Sequence, residues 1–246
     1  MGNYRIVIQY DGTRYRGWQS LGDTDATIQG KLEGVLSKTT GEEVAVIGSG
    51  RTDAGVHALG QVANFHLKGE FAQEALLLQL NRYLPEDIAV CSIAEVDERF
   101  HSRYQAMRKT YCYRIHTGAI PEVFERKYVY DYQTPLDVTR MRKAAELLIG
   151  THDFRSFCGN RKMKKSTVRT IYEIRIEERQ NELRLFYTGD GFLQNMVRIL
   201  TGTLIEVGDG RRAPEDITRI LEVRNREAAG YTVPACGLSL LSVEYE

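Results

Sequence analysis

Residues 43–67 have the sequence EVAVIGSGRTDAGVHALGQVANFHL, in which a glycine-rich connection joins two apolar segments. The segments Glu43–Gly48 and Leu59–Leu67 have the length and the apolar, β-branched composition of strands. A hairpin loop needs only ~2–5 residues, so the connection from Gly48 to Ala58 is longer than reversal of the chain requires. Loops of that kind often carry functional side chains. We therefore predict a sheet with a functional loop between two of its strands.

The elements on either side of this pair of strands give the first half of the chain the order β-α-β-β-α-β. Each is predicted from the spacing of its apolar residues, which alternates in a strand and follows the helical period in a helix. Thr24 or Asp25 is the predicted N-cap of the first helix, since its side-chain oxygen would accept from the first turn. The predicted elements are a strand at Tyr4–Tyr10, helices at Ala26–Lys38 and Phe71–Arg82, and a strand at Ile88–Val96.

The second half repeats that order, with an additional helix near Pro214–Val223. Two copies of this arrangement predict an α+β protein with two pseudo-symmetric ferredoxin-like (βαββαβ) halves, 1–105 and 106–246. We expect a continuous mixed or antiparallel sheet and a central cleft that holds the site. The predicted elements of this half are strands at Lys109–His116, Val168–Glu177, Glu182–Thr188 and Leu238–Tyr245, and helices at Asp137–Ile149 and Phe192–Val207.

The composition argues against several classes of protein. Of the 246 residues, 42% are apolar, which supplies a substantial core. No run approaches the ~18 apolar residues of a membrane span, and the opening segment has the pattern of a strand, so we expect a cytoplasmic location. The four cysteines are far apart and lack the spacing of a metal site. The sequence therefore indicates no metal, no disulfide framework and no nucleotide cofactor.

Charge is balanced overall but not locally. The 33 basic and 33 acidic residues give a net charge of zero, which by itself does not favour nucleic-acid binding. Each of two basic runs, taken alone, is more typical of a solvated surface. Together they favour an RNA-binding face, because cations neutralise phosphates and aromatic rings stack on unpaired bases. The first run contains Arg155, Arg161, Lys162, Lys164, Lys165 and Arg169; the second mixes Arg99, Arg103, Arg108, Lys109 and Arg114 with Phe100, Tyr104, Tyr111 and Tyr113.

Arg51 and Asp53 are the charged residues of the glycine-rich loop. A guanidinium two residues from a carboxylate is placed to hold it ionised and oriented. Asp-x-Gly is also a common turn sequence, however, and the spacing alone favours a turn role for Asp53 beside a solvated Arg51.

A set of motifs in the same chain order resembles the tRNA pseudouridine synthase A family almost from end to end. One short motif would be weak support, whereas an ordered set across the chain is specific. The motifs are YDGTRYRGWQ (10–19), GRTDAGVHA (50–58), RKTYCY (108–113), GTHDFRSF (150–157), GFLQNMVR (191–198) with GTL (202–204), and PACGL (234–238).

The resemblance implies that Asp53 is the catalytic aspartate, attacking either C6 of the uracil ring or C1′ of the ribose. Tyr111 then stacks on the target base and helps the C5 proton to leave, although a strand tyrosine facing the core is an alternative that applies equally to Tyr113. Arg198 becomes the ion-pair partner of Asp53; without the family, it is an arginine extending from a helix to solvent. Leu238 supplies an apolar wall beside the base, or is a plain core leucine.

The resemblance and the charge pattern together give a set of substrate-binding candidates. Arg51 and His57 are expected to help hold a flipped nucleotide, although a structural, hydrogen-bonded role for His57 is equally compatible with the sequence. His152 and Asp153 are adjacent and are better explained by the end of a helix and the docking of Phe154 and Phe157 than by an acid–base pair. The expected contacts to the tRNA backbone are made by Arg14, Tyr15, Arg16 and the loop residues Arg161, Lys162, Lys164 and Lys165.

The resemblance further implies a homodimer that modifies adjacent uridines on the 3′ side of the tRNA anticodon stem-loop, at tRNA positions 38–40, without a cofactor. Three alternatives remain open at this point. In the first, the chain binds or chaperones tRNA without catalysis. In the second, it modifies another RNA. In the third, it hydrolyses a glycosidic bond with Asp53 and His57 and releases free uracil.

Overall fold

The chain contains both strands and helices, and the structure, a computed structural model, describes residues 1–22 and 24–246. The described residues contain ten strands: β1 (Gly2–Tyr10), β2 (Ile47–Gly48), β3 (His57–Leu67), β4 (Ile88–Val96), β5 (Arg108–His116), β6 (Tyr130–Asp131), β7 (Gly150–Asp153), β8 (Val168–Arg179), β9 (Glu182–Gly189) and β10 (Leu238–Glu244). They also contain five α-helices: α1 (Ile28–Thr40), α2 (Gln73–Tyr83), α3 (Val138–Glu146), α4 (Met196–Gly208) and α5 (Asp216–Val223). This mixture, with largely antiparallel strand pairing, confirms the α+β class.

The chain divides into two compact units. The first comprises Met1–Met107 together with Ser239–Glu246, and the second comprises Arg108–Leu238. Across the residues that the structure describes, no helix has both the length and the apolar character needed to cross a membrane.

In the first unit, β1 lies between β4 and β3 and is antiparallel to both. β2 is antiparallel to β3 near Asn64, and β10 runs parallel to the beginning of β3 at His57 and Ala58. Every second residue of β1 from Tyr4 to Tyr10 is buried, as a strand with one face on a core requires. Leu32 and Leu36 of α1 and Leu80 of α2 are also fully buried. The unit is therefore an antiparallel sheet with two amphipathic helices.

In the second unit, β9 lies between β5 and β8, and β7 continues the sheet beyond β8, all in antiparallel pairs. The short strand β6 runs parallel to β5. Of residues 196–208, all of which the structure describes, every one except Arg198 and Glu206 is buried. α4 is therefore the core helix of this unit, and Arg198 is one of its two residues that retain contact with solvent.

Two predictions for the first unit are wrong in instructive ways. The N-cap of α1 is Thr27, whose Oγ1 accepts from Gly30 N at 3.2 Å, and not Thr24 or Asp25. The apolar segment from 43 pairs with β3 only at Ile47 and Gly48. Upstream of Ile47, side chains of α1 accept from the backbone instead: Ser37 Oγ from Val44 N at 3.1 Å, and Glu33 Oε1 from Val46 N at 3.0 Å. Val44 and Val46 are therefore buried without belonging to a strand.

In the second unit, α4 begins at Met196 and not at Phe192. Asn195 has φ 58°, in the left-handed region, which interrupts the helical backbone. The strands β6 and β7 were not predicted. β7 occupies Gly150–Asp153, so the prediction that His152 and Asp153 end a helix is wrong. Phe154 and Phe157, in the 3-10 helix that follows, are both fully buried.

Candidate functional site

The loop from Gly48 to Ala58, here called the Asp53 loop, lies against the segment that follows β1. Gly12 N donates to His57 Nδ1 at 3.1 Å, and Trp18 N donates to Thr52 O at 3.0 Å. Gly55 N donates to the Tyr15 carbonyl at 3.3 Å. Two of the motifs found in the sequence, YDGTRYRGWQ and GRTDAGVHA, therefore form one hydrogen-bonded structure.

Glycine is needed where these two segments touch. A Cβ on Gly12 would lie 2.0 Å from the Val56 carbonyl oxygen, far inside van der Waals contact. A Cβ on Gly17 would lie 2.6 Å from Thr52 O, and Gly17 also has φ +98°, which L-residues with a side chain rarely adopt. The backbone of the Asp53 loop is thus fixed by close contact with its neighbour.

Asp53 begins a tight turn within this loop. Val56 N donates to the main-chain carbonyl of Asp53 at 3.1 Å, and Gly55 has φ +78°, as the third position of a type II turn requires. The Asp53 side chain is half-buried. Beside it, Thr52 is buried and its hydroxyl lies 2.8 Å from that of Tyr10. Burial raises the pKa of Tyr10, so this phenol stays a neutral hydrogen-bonding group.

The beginning of the loop is anchored by two buried polar side chains. Ser49 and Gln61 are both fully buried, and Ser49 Oγ donates to Gln61 Oε1 at 2.7 Å. Gln61 Nε2 in turn donates to the Gly50 carbonyl at 3.1 Å. Because buried polar groups are costly unless they are hydrogen-bonded, this arrangement specifies one backbone path into Arg51 and Asp53.

His57 lies at the other end of the loop and is only 4% exposed. Its Nδ1 accepts from Gly12 N and lies 3.2 Å from Asp11 Oδ1. This geometry favours the structural alternative for His57, in which the ring holds the two segments together. A direct contact from His57 to a nucleotide stays a prediction.

The remaining basic candidates of the first unit are all exposed: Arg14, Arg16 and Arg51. Arg14 forms an ion pair with Asp87, at 2.6 Å between Nη2 and Oδ2, and this hydrogen bond raises the pKa of Arg14. Tyr15 OH also donates to Asp87, at 2.5 Å. Arg14 therefore already has a carboxylate partner that a phosphate would have to share or displace.

Tyr111 and Tyr113 lie on the same face of β5, as the alternation predicts. Tyr113 is fully buried, donates from its hydroxyl to Pro234 O at 2.8 Å, and has a pKa that burial raises. Tyr111 is 8% exposed and meets the ring of Phe192 edge to face, with centroids 5.2 Å apart. The structure thus gives Tyr113 a clear structural role and places the aromatic ring of Phe192 beside Tyr111.

Arg198 is held by two acceptors near the start of α4. Its Nε donates to Val233 O at 2.8 Å, and its Nη1 donates to Asn195 Oδ1 at 3.0 Å. Asn195 was not identified from the sequence. The available signals were its position three residues before Arg198 and the ability of asparagine to adopt a left-handed backbone, neither of which is specific.

Leu238 follows a short 3-10 helix, Ala235–Gly237, and is 5% exposed. This helix is packed on Tyr113, because a Cβ on Gly237 would lie 2.7 Å from Arg114 O and 2.8 Å from the Tyr113 ring. The position of Leu238 therefore depends on the same tyrosine that fixes Pro234.

The basic loop at 159–166 differs from the Asp53 loop in its exposure. Its candidate residues Arg161, Lys162, Lys164 and Lys165 are all exposed. Arg161 lies 3.4 Å from Glu227 Oε1, and both side chains are about 70% exposed. Exposed cations of this kind attract polyanions over a distance without a defined geometry.

No group of three or more His, Cys, Asp or Glu side chains that would hold a metal ion occurs among the residues that the structure describes. His152 and Asp153 have separate partners: His152 Nε2 lies 3.0 Å from Ile149 O, and Asp153 Oδ1 accepts from Thr167 Oγ1 at 2.5 Å. They do not form an acid–base pair.

Residues 6–105 and 144–246 match the model of a family described as tRNA pseudouridine synthase. The chain belongs to the tRNA pseudouridine synthase family. It is similar to tRNA pseudouridine synthase A from Bacillus sp. (strain KSM-64), with 48% identity, and to tRNA pseudouridine synthase A 1 from Clostridium tetani, with 47% identity. Both matches span 245 residues and 100% of each chain. The resemblance found in the sequence is therefore confirmed.

Within this member of the family, the matched ranges contain the Asp53 loop, Arg198 and Leu238. The range between them, 106–143, contains Tyr111. A chain in the crystal structure of a Cbf5-Nop10-Gar1 complex is similar over 82% of this chain and 45% of its own length. Its TM-score of 0.35 and 13% identity are too low to support an argument about this fold.

Proposed function

We propose that this protein isomerises uridine to pseudouridine in tRNA, with the Asp53 carboxylate as the nucleophile. The observation that carries this proposal is the position of Asp53: a half-buried aspartate on a loop fixed by glycine contacts and buried hydrogen bonds, in a chain of the tRNA pseudouridine synthase family. A nucleophile must be held close to its target atom, and a rigid loop supplies that constraint.

Two routes use this carboxylate, and both leave the composition of the substrate unchanged, because the proton lost from C5 is replaced by one taken up at N1. In one, an Asp53 oxygen bonds to C1′ while the N1–C1′ bond breaks and its electron pair leaves with the uracil ring. In the other, the oxygen adds to C6 before that bond breaks. In both, the base turns, C5 bonds to C1′, and the Asp53 carboxylate leaves with the electron pair of its bond to the substrate. C5 then loses its proton, and N1 takes up a proton from solvent. No oxidant or reductant is consumed.

The roles of the other candidates are proposals from the family resemblance. Arg198 pairs with Asp53 and keeps its carboxylate ionised, Tyr111 stacks on the base and assists proton loss, and Leu238 is the apolar wall. Two features support these roles. The guanidinium of Arg198 is oriented by Asn195 and Val233, and Leu238 follows a segment that is packed on Tyr113.

The ferredoxin-like symmetry of the halves 1–105 and 106–246, and the central cleft, are also proposals. The strand order of the first unit, β4-β1-β3-β2, is that of a ferredoxin-like fold. Its helices also follow the chain order of that fold, since α1 comes after β1 and α2 comes after β3. In the second unit, β5, β9 and β8 lie in the corresponding order, with α3 after β5 and α4 after β9.

For the substrate, we propose the anticodon stem-loop of tRNA, modified by a cytoplasmic homodimer that lets one tRNA span both subunits. The exposed basic loop at 159–166 supports the attraction of a polyanion. Because contacts to phosphates do not depend on the RNA sequence, the choice among uridines must come from the residues around Asp53.

The proposal is tested by incubating tRNA with the wild-type protein or the Asp53→Asn variant, mapping pseudouridine by position and measuring tRNA binding. We expect pseudouridine on the 3′ side of the anticodon stem-loop with the wild-type protein only, and equal binding by both. Pseudouridine found only in another RNA region would show that the anticodon stem-loop is not the substrate. An RNA-folding effect unchanged in Asp53→Asn would favour a chaperone, and release of free uracil would favour a hydrolase.

A further inference from the structure

A small open pocket lies beside the Asp53 loop, wholly within the first unit. Its volume is about 220 Å³. Its lining includes Trp18, the loop residues Gly48, Gly50 and Arg51, and, from the segment that follows β4, His101, Arg103 and Tyr104. The volume is below the ~300–1,000 Å³ of pockets that enclose a drug-sized ligand. It therefore suits one planar group and not a whole nucleotide cofactor.

The segment that contains His101, Arg103 and Tyr104 presents an aromatic surface to solvent. The Tyr104 side chain is 79% exposed, although a large aromatic ring gains from burial. Its ring packs on that of His101, with centroids 4.1 Å apart and an interplanar angle of 31°. His101 Nδ1 also accepts from the backbone N–H groups of Arg103 and Tyr104, at 3.2 and 3.3 Å. The His101 ring is therefore held in place by hydrogen bonds, and the Tyr104 ring that packs on it is exposed to solvent.

Buried polar groups anchor the segment that carries these rings. Ser102 is fully buried, and it donates from N to Asn64 Oδ1 at 3.0 Å and from Oγ to Ile47 O at 2.5 Å. Asn3 Nδ2 donates to Phe100 O at 2.9 Å, and Tyr245 OH donates to Ser102 O at 2.6 Å. Such a fully bonded network is more than a surface loop needs, and it reduces the entropy cost when a ligand stacks on Tyr104.

The charge of the pocket is positive. Arg51 and Arg103 both line it and are exposed, and no acidic side chain is among its lining residues, all of which the structure describes. Trp18, which also lines the pocket, is only 2% exposed, and the backbone of Gly48 lies so close to its ring that a Cβ on Gly48 would be 2.5 Å from it. An aromatic face between cations matches an unpaired base with its flanking phosphates.

The position of the pocket indicates which base this is. Arg51 is two residues from Asp53, and two steps of the chain span at most about 7 Å. A ligand against Arg51 is therefore beside the substrate on which Asp53 acts, and that substrate is RNA if the proposed function holds.

We propose that this pocket binds the base of a nucleotide that flanks the target uridine in tRNA. The base stacks on Tyr104, and the phosphate of that nucleotide, at the rim of the pocket, is contacted by the exposed Arg51 and Arg103. The inference rests on the proposed function and adds to it. By holding a neighbour of the target, the pocket favours a strand that has already left its stack, which lowers the cost of extruding the uridine itself.

The test is a double-mutant cycle between protein and RNA. The two changes are Tyr104→Ala and an abasic residue at each nucleotide flanking the target uridine, in turn, and the readouts are the Kd for tRNA and the single-turnover rate of pseudouridine formation. We expect Tyr104→Ala to weaken binding about tenfold, the usual scale for removal of one base–aromatic stack. At one flanking position, the abasic substitution should weaken wild-type binding equally and have no further effect in Tyr104→Ala.

Two variants serve as controls. Tyr104→Phe retains the ring and should bind tRNA like the wild-type protein. Tyr83→Ala removes another exposed tyrosine, 61% exposed on α2, and should leave binding and rate unchanged. Additive effects at every flanking position, or a Tyr104→Ala variant that binds tRNA like the wild type, would refute the binding of a flanking base in this pocket. Either result would leave the proposed function intact. Absence of pseudouridine with wild-type protein would refute the proposed function, and the binding cycle would still decide whether Tyr104 stacks on a base.

Discussion

The Asp53 loop and the basic loop at 159–166 are both long connections, yet the protein holds them very differently. The Asp53 loop is bound at its start by buried Ser49 and Gln61, and along its length by backbone contacts to Gly12 and Gly17. The basic loop has local turn bonds, such as Lys162 N to Asn160 Oδ1 at 3.0 Å, and its cations extend into solvent. A nucleophile needs a defined position, whereas attraction of phosphates needs only charge.

A change that moves the Asp53 loop without altering Asp53 should have the largest effect. Gly12→Ala places a methyl group 2.0 Å from the Val56 carbonyl, and backbone atoms cannot move aside cheaply. We expect stability to fall by about 1–3 kcal/mol and kcat to fall about 100-fold, the scale for a displacement of about 1 Å. Thermal unfolding and pseudouridine formation at saturating tRNA measure the two effects.

Gly34→Ala is the matched control for this change. Gly34 lies on the exposed side of α1, and a Cβ there would have no neighbour within 4 Å. The substitution should raise stability by about 0.5–1 kcal/mol, because alanine favours the helix, and leave kcat unchanged. Equal activity in Gly12→Ala and Gly34→Ala would mean that the rigidity of the Asp53 loop is irrelevant to catalysis.

An intermediate effect is expected at Asn195, which orients Arg198 through a single hydrogen bond. Asn195→Gly tolerates the backbone at φ 58° but removes the acceptor for Arg198 Nη1. We expect kcat to fall about tenfold, the scale of one hydrogen bond to a charged group, with little change in KM or in the melting temperature.

Asn195→Asp retains an acceptor for Arg198 Nη1 but adds a carboxylate that competes with Asp53 for this guanidinium, so we expect it to recover only part of the activity. A kcat in Asn195→Gly equal to that of the wild type would show that Arg198 does not depend on this hydrogen bond.

The smallest effect is expected in the basic loop. Lys164→Ala or Lys165→Ala removes one exposed cation, so tRNA binding should weaken by a few-fold. The slope of log affinity against log salt concentration should become shallower by about 1 for each phosphate that the lysine neutralises. The rate at saturating tRNA should not change. Titrations at several salt concentrations measure the slope, with Lys143→Ala on α3 as a comparison of equal charge outside the loop. A kcat defect in Lys165→Ala would contradict the separation of the two loops.

The same contrast explains what could be predicted from the sequence. Strong periodic patterns gave good predictions: β4 occupies Ile88–Val96 as expected, and β1 and β5 differ from prediction by one or two residues. The extent of β2 could not be predicted, because its absence upstream of Ile47 depends on Glu33 and Ser37 of α1 accepting from the backbone. Local patterns carry no information about such partners.

The candidate site divides in the same way. The motifs located Asp53, Tyr111 and Arg198, whose roles remain proposals, while the residues that hold them were hidden. Asn195, which accepts from Arg198, has a left-handed backbone that no pattern signalled, and the contact between Gly12 and Val56 joins segments 44 positions apart. The exposure of Tyr104 was also unpredictable, since the basic run that contains it mixes exposed rings with buried ones such as Tyr113.

The most direct test is a single-turnover measurement of tritium release from tRNA labelled at C5 of uridine, with enzyme in excess. Wild-type protein, Asp53→Asn and Lys165→Ala are compared at increasing enzyme concentration. We predict that Lys165→Ala reaches the wild-type rate once tRNA is saturated, whereas Asp53→Asn binds tRNA and releases no tritium at any concentration. Release by Asp53→Asn at a rate near that of the wild type would contradict the role of Asp53 as the nucleophile.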